Sequence, residues 1–182
     1  MTMTSVPPVP AGDDVPAAPP VPDPGERVFL VVVDSSPELG VAILFACRRA
    51  ARTGGRVALL YVIEPEDTGS ADIGNWMGVG DVMRQEAREE AEITLGIVSE
   101  RIKTCSGKMP MFFIREGNRA EELIRLIREE KSISVLVLAA GTGAEGPGPL
   151  VSNLTGKNAA GMRVPVTIVP GSLSREEIEA IT

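Results

Sequence analysis

Histidine is absent from the 182 residues of the sequence, and that absence excludes much chemistry. No Ser-His-Asp or Cys-His nucleophile pair, no imidazole metal ligand and no proton shuttle titrating near neutrality can be built. Aromatic residues are nearly missing too: Trp76 and Tyr61 are single, and four phenylalanines complete the set. Basic residues are outnumbered, 18 Lys and Arg against 25 Asp and Glu, for a net charge of −7. A chain with neither a cationic groove nor a stacking platform is not built to hold nucleic acid. Only two cysteines occur, Cys47 and Cys105, both in stretches of helical pattern. They are expected as reduced packing thiols, not as a disulfide framework or a metal site. No apolar run approaches the roughly 20 residues that a membrane-spanning helix requires. The first 26 residues lack both the basic end and the apolar centre of a secretion signal. No membrane association and a cytoplasmic location are therefore expected.

What is present sorts into three segments. Residues 1–26 hold eight of the fifteen prolines, four acids and no base. Such a segment cannot bury enough apolar surface to order itself and is expected as a solvated, Pro-rich acidic tail. The alternative is a ligand for a proline-recognising groove, although no aromatic or basic anchor accompanies the prolines. Residues 172–182 carry one arginine against three glutamates and are expected as a second acidic tail, with one frayed helical turn from Ser174. Taking the −4 and −2 of these ends from −7 leaves −1 for residues 27–171. The expected folded domain is thus almost neutral.

Within it, short apolar runs alternate with segments of 3.6-residue period, the pattern of βα units around a parallel sheet. Residues 27–33, 56–63, 109–115, 134–140 and 164–169 read as strands, and the continuous run RVFLVVV suits a strand covered on both faces. One helix is expected over residues 37–53, stopped by Gly54 and Gly55, and a long one over 81–104 with Met83, Ala87, Ala91, Thr94, Val98 and Ile102 on its inner side. A third follows Gly117, where Asn118 and Glu121 have capping-box character and Ala120, Leu123, Ile124 and Ile127 keep helical spacing. A short fourth falls within residues 150–160. Right-handed crossovers then put helices on both faces of an open, twisted, five-stranded sheet, a Rossmann-like α/β fold. In such sheets ligands bind outside the carboxyl ends of strands where the winding reverses.

With the reversal beside the first strand, that crevice is walled by Asp34-Ser35-Ser36, by the loop of residues 64–80 and by the loop of residues 141–149. A glycine-rich loop turns backbone N–H groups toward a phosphate, and an acid at a neighbouring strand end accepts from an adenine amine or a ribose hydroxyl. The combination points to a nucleotide. Gly141-Thr142-Gly143-Ala144-Glu145-Gly146 matches G-x-G-x-x-G, but Pro147-Gly148-Pro149 stands where the dinucleotide fingerprint needs a helix. Gly156-Lys157 is followed by Asn158 and has no glycine at position 151, so it fails as a Walker A loop. Asp34 has a second reading as a cap of the following helix. The loop 64–80, with Trp76 and Met77 among four glycines, reads either as a disordered connection or as a lid or partner surface. No two carboxylates can be assigned facing positions, so no catalytic or metal site is expected.

The VVVDSSP run that ends the first strand at Asp34, the LYVIEP end of the second, and REGNRAEELIRLIREEKSISVLVLAAG followed by a loop, a helix and VPVTIVP resemble the universal stress protein family. The resemblance covers residues 27–170. It implies the strand order 3-2-1-4-5, stress-associated regulation, dimerisation through the last strand and, in one branch of the family, binding of ATP. It sets Asp34 and Val62 at the adenine and Gly117 at a characteristic turn. The phosphate motif of that branch, G-x2-G-x9-G before Ser or Thr, is matched in glycine spacing by Gly143, Gly146 and Gly156 in and after the loop that Gly141 opens. Lys157 replaces the hydroxyl residue, however. Aligned without gaps on the fourth strand and Pro165, the motif positions fall instead on Ala139, Thr142, Ser152 and Asn153. Glu145 adds a carboxylate to the loop, and Pro147 and Pro149 remove N–H donors.

The expectation is a regulatory module that takes ATP or another adenine nucleotide and turns nothing over. The alternatives are an ATP-using enzyme of the nucleotide-binding α-hydrolase type and a protein-binding module with a filled crevice. A homodimer is expected through residues 164–169, where Val164, Val166, Ile168 and Val169 would leave an apolar edge with unpaired backbone groups. Pro165, without an N–H, suits such an edge. The competing cover for that edge is the segment 172–182, folded back within one monomer.

Overall fold

The first apolar run becomes β1 (Val28–Val33), and all six of its residues are buried. It is the central strand of the computed structural model, which describes residues 22–64, 79–144, 146–156 and 159–182. The chain continues through α1 (Leu39–Thr53), β2 (Arg56–Ile63), α2 (Val79–Ser106), β3 (Met111–Glu116), α3 (Arg119–Glu129), β4 (Ile133–Ala140) and α4 (Pro149–Thr155). A single 3₁₀ turn (Ala159–Gly161), β5 (Val166–Pro170) and α5 (Arg175–Ile181) follow. The strands are parallel, in the order β3-β2-β1-β4-β5. The expected class, pairing and order are all observed.

Alternate residues of the central strands serve two separate cores. Phe29, Val31 and Val33 of β1, with Val57 and Leu59 of β2, pack under α1 and α2. Val28, Leu30 and Val32, with Ala58, Leu60 and Val62, pack under α3 and α4. Burial on both faces explains why these strands read as continuous apolar runs and not as alternation. On α1 the buried residues are Ala42, Ala46, Cys47 and Ala50, and Gly54 closes the helix in the left-handed conformation with its N–H on the Ala50 carbonyl. On α3, the Asn118 side chain accepts from the N–H groups of Ala120 and Glu121 at 3.1 and 3.2 Å.

Three expectations are corrected. The inner side of α2 is Ala91, Leu95, Val98 and Ile102, whereas Met83, in the first turns of this long helix, is 49% exposed. Residue 26 belongs to the folded unit and not to a tail. The Glu26 side chain is 2% exposed and pairs with Arg56 at 3.2 Å and Lys108 at 2.6 Å. The C-terminal segment is also no frayed turn. Ser174 accepts from Glu177 N–H while the Glu177 carboxylate accepts from Ser174 N–H, a full capping box, and Ile178 is buried to 1% exposure. Arg48 of α1 pairs with Glu179, and Arg49 donates to the Thr182 carbonyl at 3.3 Å. α5 therefore seals α1.

The last strand starts two residues later than its apolar run. Pro165 lacks an N–H, and its carbonyl accepts from Leu136 N–H at 2.9 Å just before β5 begins. Val164 and Val169, expected as edge surface, are buried at 6% and 2% because they face the two cores. Ile168, at 38% exposure, is the apolar side chain that β5 presents outward.

Candidate functional site

β1 pairs with β2 on one side and β4 on the other, so the winding reverses beside β1 and a gap opens at the carboxyl ends of β1 and β4. A crevice of about 100 Å³ lies there. One wall is Asp34, Ser36, Glu38, Leu39 and Ala42; the other runs along β4 to Gly141 and then through Pro147, Gly148, Pro149 and Val151, with Arg119 at the rim. The Asp34 and 141–149 segments expected to meet do meet. The third expected wall, with Trp76 and Met77, falls largely on residues 65–78, which lie outside the described residues, as do Glu145 and Lys157.

Asp34 does not cap α1. Its Oδ1 accepts the Ser36 N–H at 2.9 Å, closing a local turn immediately after β1, and α1 begins only after Glu38, which makes no side-chain cap bond. The turn holds the carboxylate at the mouth of the crevice. Glu38 instead reaches across to the loop after β4, where its Oε1 accepts the Thr142 N–H at 3.3 Å and lies 3.4 Å from the Thr142 hydroxyl. Gly171 permits this: a Cβ there would lie 2.4 Å from Glu38 Cγ and 2.5 Å from the Ala140 carbonyl oxygen.

The loop spends its own donors. Gly141 N–H bonds the Pro147 carbonyl at 3.1 Å, and Gly146 N–H bonds that of Gly143 at 3.2 Å. Gly141 is needed because a Cβ would stand 2.9 Å from the Gly146 carbonyl oxygen. Among the described residues the charge in the crevice is that of two carboxylates, Asp34 and Glu38, against one guanidinium, Arg119. Arg119 is already paired with Glu64 at 2.6 Å, while its Nε is buried without a hydrogen-bond partner among the described residues.

Of the six residues singled out in the sequence, Asp34 and Gly141 line the crevice. Val62 is in the core under α3 and α4. Gly143 and Gly146 make the outer turn of the loop. Gly156 closes α4, about 10 Å along that helix from the crevice end, where its Cβ position abuts the Ser152 carbonyl at 3.1 Å. Gly143, Gly146 and Gly156 are not among the residues that line the crevice. Glu38, Arg119 and Gly171 were missed, and no local signal marks them: Glu38 and Thr142 are 104 residues apart. Among the described residues no three His, Cys, Asp or Glu side chains group to hold a metal.

The model of the universal stress protein family matches residues 26–170. No curated protein sequence matches the chain. Among solved structures, the universal stress protein UspA from Lactobacillus plantarum is 18% identical with a TM-score of 0.64, covering 81% of this chain and 99% of that one. A universal stress family protein from Burkholderia pseudomallei is 26% identical with a TM-score of 0.57, covering 79% and 95%. The universal stress protein from Archaeoglobus fulgidus in complex with dAMP is 15% identical with a TM-score of 0.52, covering 79% and 97%. With the family model matched over most of its length, and with the sheet order and reversal crevice in agreement, the chain belongs to the universal stress protein family.

Proposed function

We propose that the chain is a cytoplasmic regulatory module whose reversal crevice takes an adenine nucleotide of low charge and turns nothing over. The observation that carries the reading is the meeting of Asp34 with the 141–149 loop across one crevice, beside a buried Arg119 Nε that has no hydrogen-bond partner among the described residues. A carboxylate there suits the amine or hydroxyl donors of a nucleoside, and the family relative in complex with dAMP supports the choice of base. The loop argues against ATP itself. Gly141, Thr142 and Gly146 have their N–H groups engaged, two prolines offer none, and two carboxylates oppose a polyanion. With about 100 Å³ of space, against the ~300–1,000 Å³ of ordinary small-molecule pockets, entry requires Glu38 to move aside. Among the described residues no helix is long and apolar enough to cross a membrane. The absence of histidine from the sequence, and of any group of three metal-holding side chains among the described residues, supports a module without turnover. Two copies would join through β5.

A second reading, a protein-binding module whose crevice stays filled, is favoured by the Glu38 to Thr142 contact. Calorimetry with AMP and ATP, together with mass spectrometry of nucleotide retained through purification, separates the two. AMP binding weakened by Asp34→Ala supports the proposal. No binding of either nucleotide, or binding indifferent to Asp34→Ala, overturns it.

A further inference from the structure

Cys47 and Cys105 are distant in sequence and neighbours in the fold. Cys47 is on the inner side of α1, 1% exposed, and Cys105 is in the last turn of α2, partly exposed. Both are free thiols; they line one groove, and Cys105 packs against the core cluster that contains Cys47. A groove of about 540 Å³ between α1 and α2 opens over the pair, with Arg48, Arg101 and Arg175 on its walls. It shares no lining residue with the reversal crevice, and the nucleotide reading does not use these thiols.

The two sulfurs differ in access. Burial, and then the neighbouring thiol, push Cys47 well above the usual thiol range, so it stays protonated and shielded at neutral pH. Cys105 is the one a solute in the groove can touch. Charged side chains of both signs, Arg48, Arg101 and Glu100, line the groove beside the pair, and Arg48 is paired with Glu179.

We propose that Cys47 and Cys105 form an oxidative modification site, in which hydrogen peroxide oxidises Cys105 and Cys47 then resolves it to an intramolecular disulfide between α1 and α2. In the first step the Cys105 sulfur attacks one peroxide oxygen, the O–O bond breaks, and the departing hydroxide takes the thiol proton as water, leaving a sulfenic acid. In the second, the Cys47 sulfur attacks the sulfenic sulfur. The S–S bond forms, the S–O bond breaks, and hydroxide leaves with the Cys47 proton as a second water. Two thiols lose two electrons and one peroxide gains them. Thiol reductants reverse the product by exchange.

The full chain is exposed to a small excess of hydrogen peroxide, alkylated under denaturing conditions, digested and mapped by mass spectrometry. The expected product is a peptide pair linked Cys47 to Cys105, lighter than the reduced pair by two hydrogens, in a chain that remains single on a non-reducing gel and is restored by dithiothreitol. In Cys47→Ser, Cys105 should instead be captured by dimedone as the sulfenic acid, and in Cys105→Ser, Cys47 should remain alkylatable. Two alkylated cysteines after peroxide, oxidation of Cys105 to a sulfinic acid with Cys47 free, or a link between two chains would overturn the proposal. The mapping of the unsubstituted chain decides even where a serine variant does not fold.

Discussion

The Glu38 carboxylate bonds the backbone N–H of Thr142 at 3.3 Å, so an acid from the start of α1 occupies a loop donor that a phosphate oxygen would otherwise use. Glu38→Ala frees that amide, removes one of the two negative charges from the crevice and enlarges it. AMP affinity should rise by about tenfold, the worth of one charged hydrogen bond exchanged, as read by calorimetry. Unchanged affinity would mean that Glu38 does not compete with the nucleotide.

Gly171 locks the same contact from behind. The Ala140 carbonyl is held by Gly171 N–H at 3.0 Å, so an added methyl group, 2.5 Å from that oxygen, cannot be relieved by moving Glu38 alone. Gly171→Ala should lower stability by about 1–3 kcal/mol, measured by urea denaturation, whereas Glu38→Ala should change it little.

Glu26 gives the fold an acid-sensitive link. Burial works against its charge, but hydrogen bonds from Lys108, the Asp23 backbone and Arg56 outweigh that and hold the carboxyl below its ordinary 4.5. A carboxyl depressed in the folded state stabilises at pH values above its unfolded value, and the benefit is lost as pH falls through the folded one. Glu26→Gln should therefore cost about 2 kcal/mol at neutral pH. The two stability curves should converge below pH 4.5, as followed by denaturation across a pH series. A constant gap would mean that the Glu26 charge is not what matters.

The elements visible in the sequence are those whose physics is local. β1 declares itself because both faces are buried, and α3 because Asn118 caps a helix with inward residues at i, i+3 and i+4. The Asp34 and 141–149 walls followed from strand ends and a winding rule. What stayed hidden depends on separation along the chain. Nothing near Glu38 foretells Thr142, and nothing near Cys47 foretells Cys105. Ser174 and Glu177 did carry a readable capping box. What the local sequence does not show is that α1 holds their helix, with Arg48 on the Glu179 carboxylate and Arg49 and Arg52 on the Thr182 and Glu179 carbonyls.

Docking of α5 also changes how assembly can be tested. Ile178 is 1% exposed and seated against α1, so removing residues 172–182 would uncover apolar surface and confuse an association measurement. Ile178→Ala should cost about 2–4 kcal/mol in thermal or chemical unfolding without altering the oligomeric state, because α5 lies over α1 and leaves Ile168 of β5 38% exposed. β5 is the parallel edge beside β4, and its outer backbone groups and Ile168 suit antiparallel pairing with the same strand of a second copy. Light scattering at micromolar concentration should find a dimer for the full chain and for Ile178→Ala, and a monomer for Ile168→Lys, since a charge at the centre of a two-fold contact meets its own copy. A monomeric full chain, or a dimer untouched by Ile168→Lys, would place the contact elsewhere or remove it.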